Sequence, residues 1–427
     1  MIPIWVSFLI TIVLILIIAR WDLGVGIFIG AVFLALMSVF PYRVDLLQVS
    51  LTVFLNWEIF FLAVSVTLIP LLGGIMEESH LMMELIQKLD VPNRMSLMLS
   101  PAFFGLLPMP GGALLSAPLV DKIDPQLDSN KKVAINVWFR EVIILIFPLQ
   151  TTFFVIYQIL NYSSPYVMTL ILIAPFLVMV LIGYLILIKR TPKIQRKGNR
   201  NIWIFLRDLL PIVIAPLIDL PARIIIGNYN KKQLEYPGLY PDLPQWLSPS
   251  LFLMIGLIIS VVFCLFLVKK IQSSYIQVVK PKQLIGISKK MKIWRYPLLI
   301  YAMYFFINVF KTSGLPEFIS DLNSPFVLFL LISFLFGIGT GRVELPGSIL
   351  FPIFLTQYSL TIMPYFEFAL IYSAIFLGYL ITPIHPCMAY SVDYFKTSYV
   401  KSFKVVALPI LVCIILIFAA YGISLLF

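Results

Sequence analysis

Four charged residues lie in apolar surroundings where a membrane-type chain tolerates charge least. Arg140 and Glu141 fall in FREV, well inside an apolar run that starts near Val133. Arg342 and Glu344 fall in GRVELPG, again between apolar stretches. A central Arg or Asp costs about 2.5–3.5 kcal/mol on insertion scales, so such residues face a cavity or a partner. The planar fork of arginine can bind both oxygens of a carboxylate. The four residues therefore suggest an anion site, with Arg140 and Arg342 as donors and Glu141 and Glu344 as ion-coupling groups that carry protons or cations. The competing reading is structural: Arg140 with Glu344, or Arg342 with Glu141, as internal ion pairs that lock the fold. His385, in TPIHPCMAY beside Pro383, can accept a substrate hydroxyl or relay a proton as neutral imidazole. It can equally be a structural hydrogen-bonder. Gln150, Thr151, Thr152 and Thr382 offer neutral hydrogen bonds near two proline breaks, or only satisfy the carbonyls freed there.

The elements that must position these residues are membrane helices. The chain has 427 residues, 61% of them hydrophobic and 12% charged, with a mean hydropathy of +1.00. Soluble domains carry about 25% charged residues. Many apolar runs reach the roughly 20 residues that cross a bilayer as helix, and the alternating strands of an outer-membrane barrel are absent. The expected fold class is an all-α polytopic membrane protein. The N-terminal stretch has no basic region or small-residue cleavage site and reads as a retained helix. The net charge of +11 marks cytoplasmic loops rather than a nucleic-acid partner. Cys264, Cys387 and Cys413 show no paired spacing, so neither a disulfide framework nor a metal site is expected. No P-loop, HExxH pair, Asp-rich diphosphate motif or GxSxG elbow is present, and no cofactor is expected. That pattern points away from an ATP-driven pump and from known intramembrane enzymes.

Ten spans are predicted: 3–19, 23–40, 51–74, 133–158, 166–188, 203–220, 249–268, 296–314, 364–386 and 402–425. The basic loops KRTPKIQRKGNR (189–200) and Lys269 to Arg295 belong on the cytoplasmic side by the positive-inside rule. Counting outward places both termini, and the Pro-rich stretch from Pro221 to Pro249, outside a cell (inner) membrane. The count works only if residues 94–121 and 325–355 each enter and leave on one side. The first contains LLPMPGGALLSAP and the second GIGTGRVELPGSILFP. Each is read as a re-entrant hairpin whose tip lines a cavity, because non-helical backbone at membrane depth must be buried in protein or face water. The substrate-binding candidates at the tips are Pro110, Gly111, Gly112 and Ser116 in the first. In the second they are Gly341, Arg342, Pro346, Gly347 and Ser348. Glycine lets a ligand approach the backbone closely.

The two regions also repeat in order. Ser79 matches Ser313, Leu81 matches Leu315, Phe104-Gly105 matches Phe336-Gly337, Pro110-Gly111 matches Pro346-Gly347, and Pro148 matches Pro383, at an offset near 235. Amphipathic segments at 76–89 and 315–322 precede the hairpins and suit the membrane interface. The chain is accordingly divided into a first inverted repeat (1–188), a cytoplasmic linker (189–202) and a second repeat (203–427). The first hairpin opens to the cytoplasm and the second to the outside. Inverted repeats with interrupted helices mark secondary transporters.

The order of interfacial helix, hairpin, proline-broken helix and closing helix, given twice, resembles the ion-transporter superfamily. That group includes gluconate, citrate, C4-dicarboxylate, lactate and arsenite permeases. LPMPGGALLSAP in particular is similar to an uncharacterised integral-membrane family within it. The resemblance covers most of the chain, with only the hairpin motif specific. It implies an elevator-type carrier, a homodimer among membrane lipid, with substrate bound between the hairpin tips and the broken helices. The Ser-Asn-Thr tips of the sodium-dicarboxylate branch are missing, which weighs against that branch. The expected function is secondary transport of a small organic anion, a carboxylate, coupled to H+ or Na+. The competing classes are an intramembrane enzyme acting on a lipid through His385 and Glu344, a cation/proton antiporter, and a channel.

Overall fold

The computed structural model describes residues 3–38, 43–87, 91–106, 112–192, 202–236, 239–271, 276–320, 324–382 and 385–426. Among them every regular element is helical. The first series comprises α1 (Ile4–Ile18), α2 (Leu23–Met37), α3 (Leu46–Phe54), α4 (Trp57–Glu78) and the short α5 (Leu81–Gln87). A helix pair follows, α6 (Asn93–Gly105) and α7 (Gly112–Ile123). Then come α8 (Ser129–Val142), extended by a 3-10 turn to Ile146, and α9 (Thr151–Ile159). The series closes with α10 (Pro165–Ile171) and α11 (Ile173–Gly183). The second series begins with α12 (Ile202–Glu235), α13 (Pro249–Lys270), α14 (Pro281–Lys290), α15 (Arg295–Thr312) and α16 (Leu315–Ser320). It ends with the pair α17 (Phe326–Thr340) and α18 (Glu344–Gln357), then α19 (Tyr365–Ile381), α20 (Pro386–Tyr394) and α21 (Tyr399–Ser424). From α4 and from α15 onward the chain follows the same order: long helix, short helix, helix pair, interrupted helix, closing helix.

The chain is an all-α polytopic membrane protein. Among the described residues four helices, α4, α12, α13 and α21, are long and apolar enough to cross a membrane, and three bent pairs bring the number to seven. Seven of the ten predicted spans fall on these segments. The other three fall on the shorter apolar helices α1, α2 and α19. The largest departure is at 203–220, where α12 continues through Pro221 to Glu235. Its 34 residues measure about 50 Å at 1.5 Å per residue, so the first part of the predicted external loop is helix. Pro211, Pro216 and Pro221 lie inside it, a burden membrane helices carry when neighbours satisfy the freed carbonyls.

Buried side chains form two cores. One joins α2, α4, α12, α13 and α15 through residues such as Ile27, Val66, Ala215, Leu257 and Met303. The other joins α8, α11, α17, α18, α19 and α21 through Trp138, Ile182, Phe329, Phe351, Ile375 and Ile410. Polar bonds reinforce the second. Lys132 pairs with Asp121 at 2.6 Å, tying α8 to α7. Asn136 donates to the Ala113 carbonyl at 3.1 Å and to the Ser391 hydroxyl at 2.9 Å, tying α8 to α7 and α20. In each helix pair one glycine permits a backbone approach. A Cβ on Gly105 would lie 1.9 Å from the Arg140 carbonyl oxygen, and one on Gly337 would lie 2.2 Å from that of Ile375. These two glycines are partners in the sequence repeat, and the carbonyls they press on, of Arg140 and Ile375, are themselves separated by about the repeat offset.

Candidate functional site

Asp128 caps α8 by accepting from the backbone N–H groups of Asn130 and Lys131. The helix then runs to Val142, which puts Arg140 and Glu141 in its last turn, just before the interruption at 147–150. A cation near the C-terminal end of a helix suits its dipole. Both side chains are buried, Arg140 at 5% and Glu141 at 1% exposure. Arg140 Nη1 donates to Glu141 Oε1 at 3.0 Å and also to Cys387 Sγ. The Tyr379 hydroxyl donates to Glu141 Oε2 at 2.9 Å. His385 Nε2 lies 3.6 Å from Glu141 Oε1, and its ring meets Tyr379 edge-on at 4.5 Å between centroids. Residues from α8, α19 and the start of α20 thus converge on one carboxylate. A buried ion pair of this kind is held by its hydrogen bonds, and removing one partner strands the other charge.

The second helix pair turns at Gly341, whose left-handed φ of 58° caps α17 with a bond from its N–H to the Gly337 carbonyl. The reversal therefore occupies Gly341 to Val343. Pro346, Gly347 and Ser348, expected at the tip, instead lie in the first turns of α18. Gly347 packs near Ile156 of α9, and the Ser348 hydroxyl donates to the Leu345 carbonyl at 2.9 Å. Arg342 is exposed and Glu344 half-buried. Neither forms an ion pair with a described residue. The cross pairs Arg140–Glu344 and Arg342–Glu141 are not formed, because Arg140 turns to its own neighbour.

Between the two cores lies an open cavity of about 530 Å³. Arg140, Glu141, Arg342 and Glu344 all line it, with Gln150, Thr151, Tyr379 and Cys387. Asp22, Lys290, Lys292 and Arg295 line it as well. Arg295 is paired with Asp22 at 2.9 Å, and Lys290 with Glu77 at 2.9 Å. The lining holds five cationic side chains against three carboxylates. Such a cleft concentrates anions, and its size is that of a small-molecule site.

The other expected residues take different places. His385 is fully buried behind the lining. The Thr382 hydroxyl donates to the Ile338 carbonyl at 2.6 Å, tying the end of α19 to α17. Ser116 is buried in α7, 3.4 Å from the Ala113 carbonyl. Gly112 opens α7. Pro110 and Gly111, and with them the tip of the first hairpin, lie outside the described residues. The sequence reading missed Tyr379 and Cys387. Cys387 stands two residues beyond His385, but only the fold brings it to Arg140.

A second polar cluster sits apart. Asp208 and Asp219 on α12 are both fully buried. Asp208 pairs with Arg207. Asp219 accepts from Arg223 Nε and from the Tyr166 hydroxyl, each at 2.7 Å. Arg223 also reaches the Tyr157 hydroxyl on α9 at 3.4 Å, and that hydroxyl donates to Glu58 on α4 at 3.1 Å.

The family described as "Protein of unknown function (DUF401)" matches residues 4–225 and 239–424. No curated protein matches the chain. Among solved structures, that of the Alcanivorax borkumensis YdaH transporter superposes with a TM-score of 0.55 at 14% identity, covering 98% of each chain. At that identity the likeness concerns the fold.

Proposed function

The chain belongs to that family of unknown function, and from this premise we propose that it is a secondary transporter for a small organic anion, a carboxylate. The observation that carries the reading is the open cavity between two cores, lined by Arg140, Arg342, Glu141 and Glu344. Arg342 is the anion donor to which we give the main role. It faces the cavity with no carboxylate partner among the described residues, whereas Arg140 is engaged with Glu141. Glu344, two residues along, couples passage to protons. Its carboxylate, which forms no ion pair with a described residue, carries the coupling step without breaking one. The α8, α11, α17–α19 and α21 core moves as one body against the α2, α4, α12, α13 and α15 core, which exposes the cavity to each side in turn. The two series are inverted relative to each other, with both basic loops in the cytoplasm and both termini outside. The fold likeness to a protein named as a transporter agrees with this class. Homodimerisation belongs to the same reading through the superfamily resemblance.

Purified protein reconstituted in liposomes tests it, with small organic acids screened first by thermal stabilisation, since a ligand that binds only the native state raises stability. Arg342→Gln should abolish binding of the acid that stabilises the wild type. Arg342→Lys should restore part of it, because a point charge lacks the fork. Glu344→Gln should keep binding but lose the dependence of flux on a pH gradient. Normal carboxylate binding by a less stable Arg342→Gln would make Arg342 a structural residue and leave the anion reading on Arg140 alone.

A further inference from the structure

The convergence on Glu141 has a chemistry that anion transport does not use. Glu141, His385 and Cys387 each present one ligand atom, and the three atoms lie within 4.8 Å of one another. A cation already sits among them, since Arg140 Nη1 donates to both Glu141 Oε1 and Cys387 Sγ. His385 is 0% exposed, yet neither ring nitrogen has a hydrogen-bond partner among the described residues, and Nε2 points toward Glu141. A buried imidazole with two unsatisfied nitrogens is uncommon enough to need an explanation.

We propose that Glu141, His385 and Cys387 form a binding site for a borderline-soft divalent cation of the Zn2+ type, which binds in place of the Arg140 guanidinium. One thiolate, one imidazole and one carboxylate are the ligand types zinc takes, at about 2.3 Å for sulfur and about 2.0–2.2 Å for nitrogen and oxygen. Hard cations such as Mg2+ or Ca2+ call for a shell of oxygens, and this cluster offers a single carboxylate. Tetrahedral ligands at those lengths stand about 3.3–3.8 Å apart, so the three side chains must close by about 1 Å. His385 caps α20 and Cys387 lies in its first turn, beside the interruption rather than in mid-helix, where such closure is easiest. Glu141 and Cys387 also line the cavity, which gives a metal an entry path and leaves the fourth position to water or a cargo carboxylate. Arg140 lines the same cavity, into which it would turn when a metal takes its place. The thiol loses its proton on binding, since the thiolate is the ligand.

The resident guanidinium makes the proposal distinctive. Two cations a few ångströms apart in a partly dry site repel strongly, so removing the arginine should strengthen metal binding although it removes a member of the cluster. The test is titration of Zn2+ into the purified full chain against a chromophoric chelator, with no organic acid present, so the outcome does not depend on the transport reading. One Zn2+ per chain is expected. Affinity should fall by more than about tenfold in Cys387→Ser and in His385→Gln, and rise by more than about tenfold in Arg140→Gln. Co2+ bound to the wild type should show thiolate-to-metal charge-transfer absorption, which needs no variant to fold. Failure of both the wild type and Arg140→Gln to bind Zn2+ would overturn the proposal. So would Co2+ binding without the thiolate band, or loss of the metal on changing the exposed His80 instead.

Discussion

Gly105→Ala probes the packing that sets Arg140 in place. A Cβ at this position would lie 1.9 Å from the Arg140 carbonyl oxygen, 2.9 Å from its carbonyl carbon and 2.8 Å from Ile143 Cγ2. Carbon–oxygen contacts settle at about 3.3–3.6 Å, so α6 and α8 must part by roughly 1.5 Å. The nearest atom is a backbone oxygen and cannot rotate out of the way as a side-chain tip can. Alanine gains about 1 kcal/mol over glycine in a helix, while overpacking costs about 1–3 kcal/mol. With a backbone clash at the upper end of that range, the net loss is about 2 kcal/mol. Gly227 in α12 supplies the control, because a Cβ there meets nothing within 4 Å. Gly227→Ala should therefore gain about 1 kcal/mol. Denaturant unfolding of the two variants in detergent should separate them by about 3 kcal/mol, the sum of these two effects. The same displacement moves Arg140, so anion binding should weaken in Gly105→Ala only. Equal stability of the two variants would show that the α6–α8 contact is not the rigid seat described above.

Cysteines at Pro92 and Gln126, which flank the α6–α7 pair and are exposed, should label from the same side of the membrane. Labelling from opposite sides would remove the first hairpin and the inverted arrangement. Arg223→Gln strands the fully buried Asp219 and should cost about 3–5 kcal/mol. Adding Asp219→Asn should recover part of that loss, and a double variant less stable than the single one would count against the pair. Glu58 on α4 of the first core and Gln158 on α9, whose Phe153, Ile156 and Tyr157 belong to the second core, are bonded at 2.9 Å. Cysteines there, joined by a bifunctional reagent, should halt flux while leaving binding intact, and undiminished flux would sink the two-body mechanism.

Much of this architecture can be read before any coordinates. Proline at 148 betrays a place where apolar helix cannot continue, and the repeat offset near 235 aligns Gly105 with Gly337. The structure then shows those glycines on equivalent carbonyls. Charge in apolar sequence likewise pointed to Arg140, Glu141, Arg342 and Glu344, which share one cavity. Other features depend on distance along the chain. Nothing local tells that Cys387 meets Arg140, 247 residues away, or that Tyr379 donates to Glu141, 238 residues away. Local rules also misplace features. Pro221 signals a helix end, yet α12 passes through it to Glu235. Pro346-Gly347 looks like a tip, but the left-handed turn one helical turn earlier, at Gly341, takes that role.

The reversal between α17 and α18 occupies only Gly341, Arg342 and Val343. A connection this short has no slack to fold back as a flap. Its first residue is already committed to a left-handed conformation, and its last is buried. Any gate at this end must therefore be a stiff lever: both arms tilt together, with the joints at their far ends near Phe326 and Gln357. There the Gln357 amide donates to the Ser324 carbonyl at 2.8 Å, and the Tyr358 hydroxyl donates to the same oxygen at 3.0 Å. These bonds stitch the two arms at their base, so the lever has one axle rather than two. Arg342, carried at the free end, would sweep the longest arc of any residue in the pair.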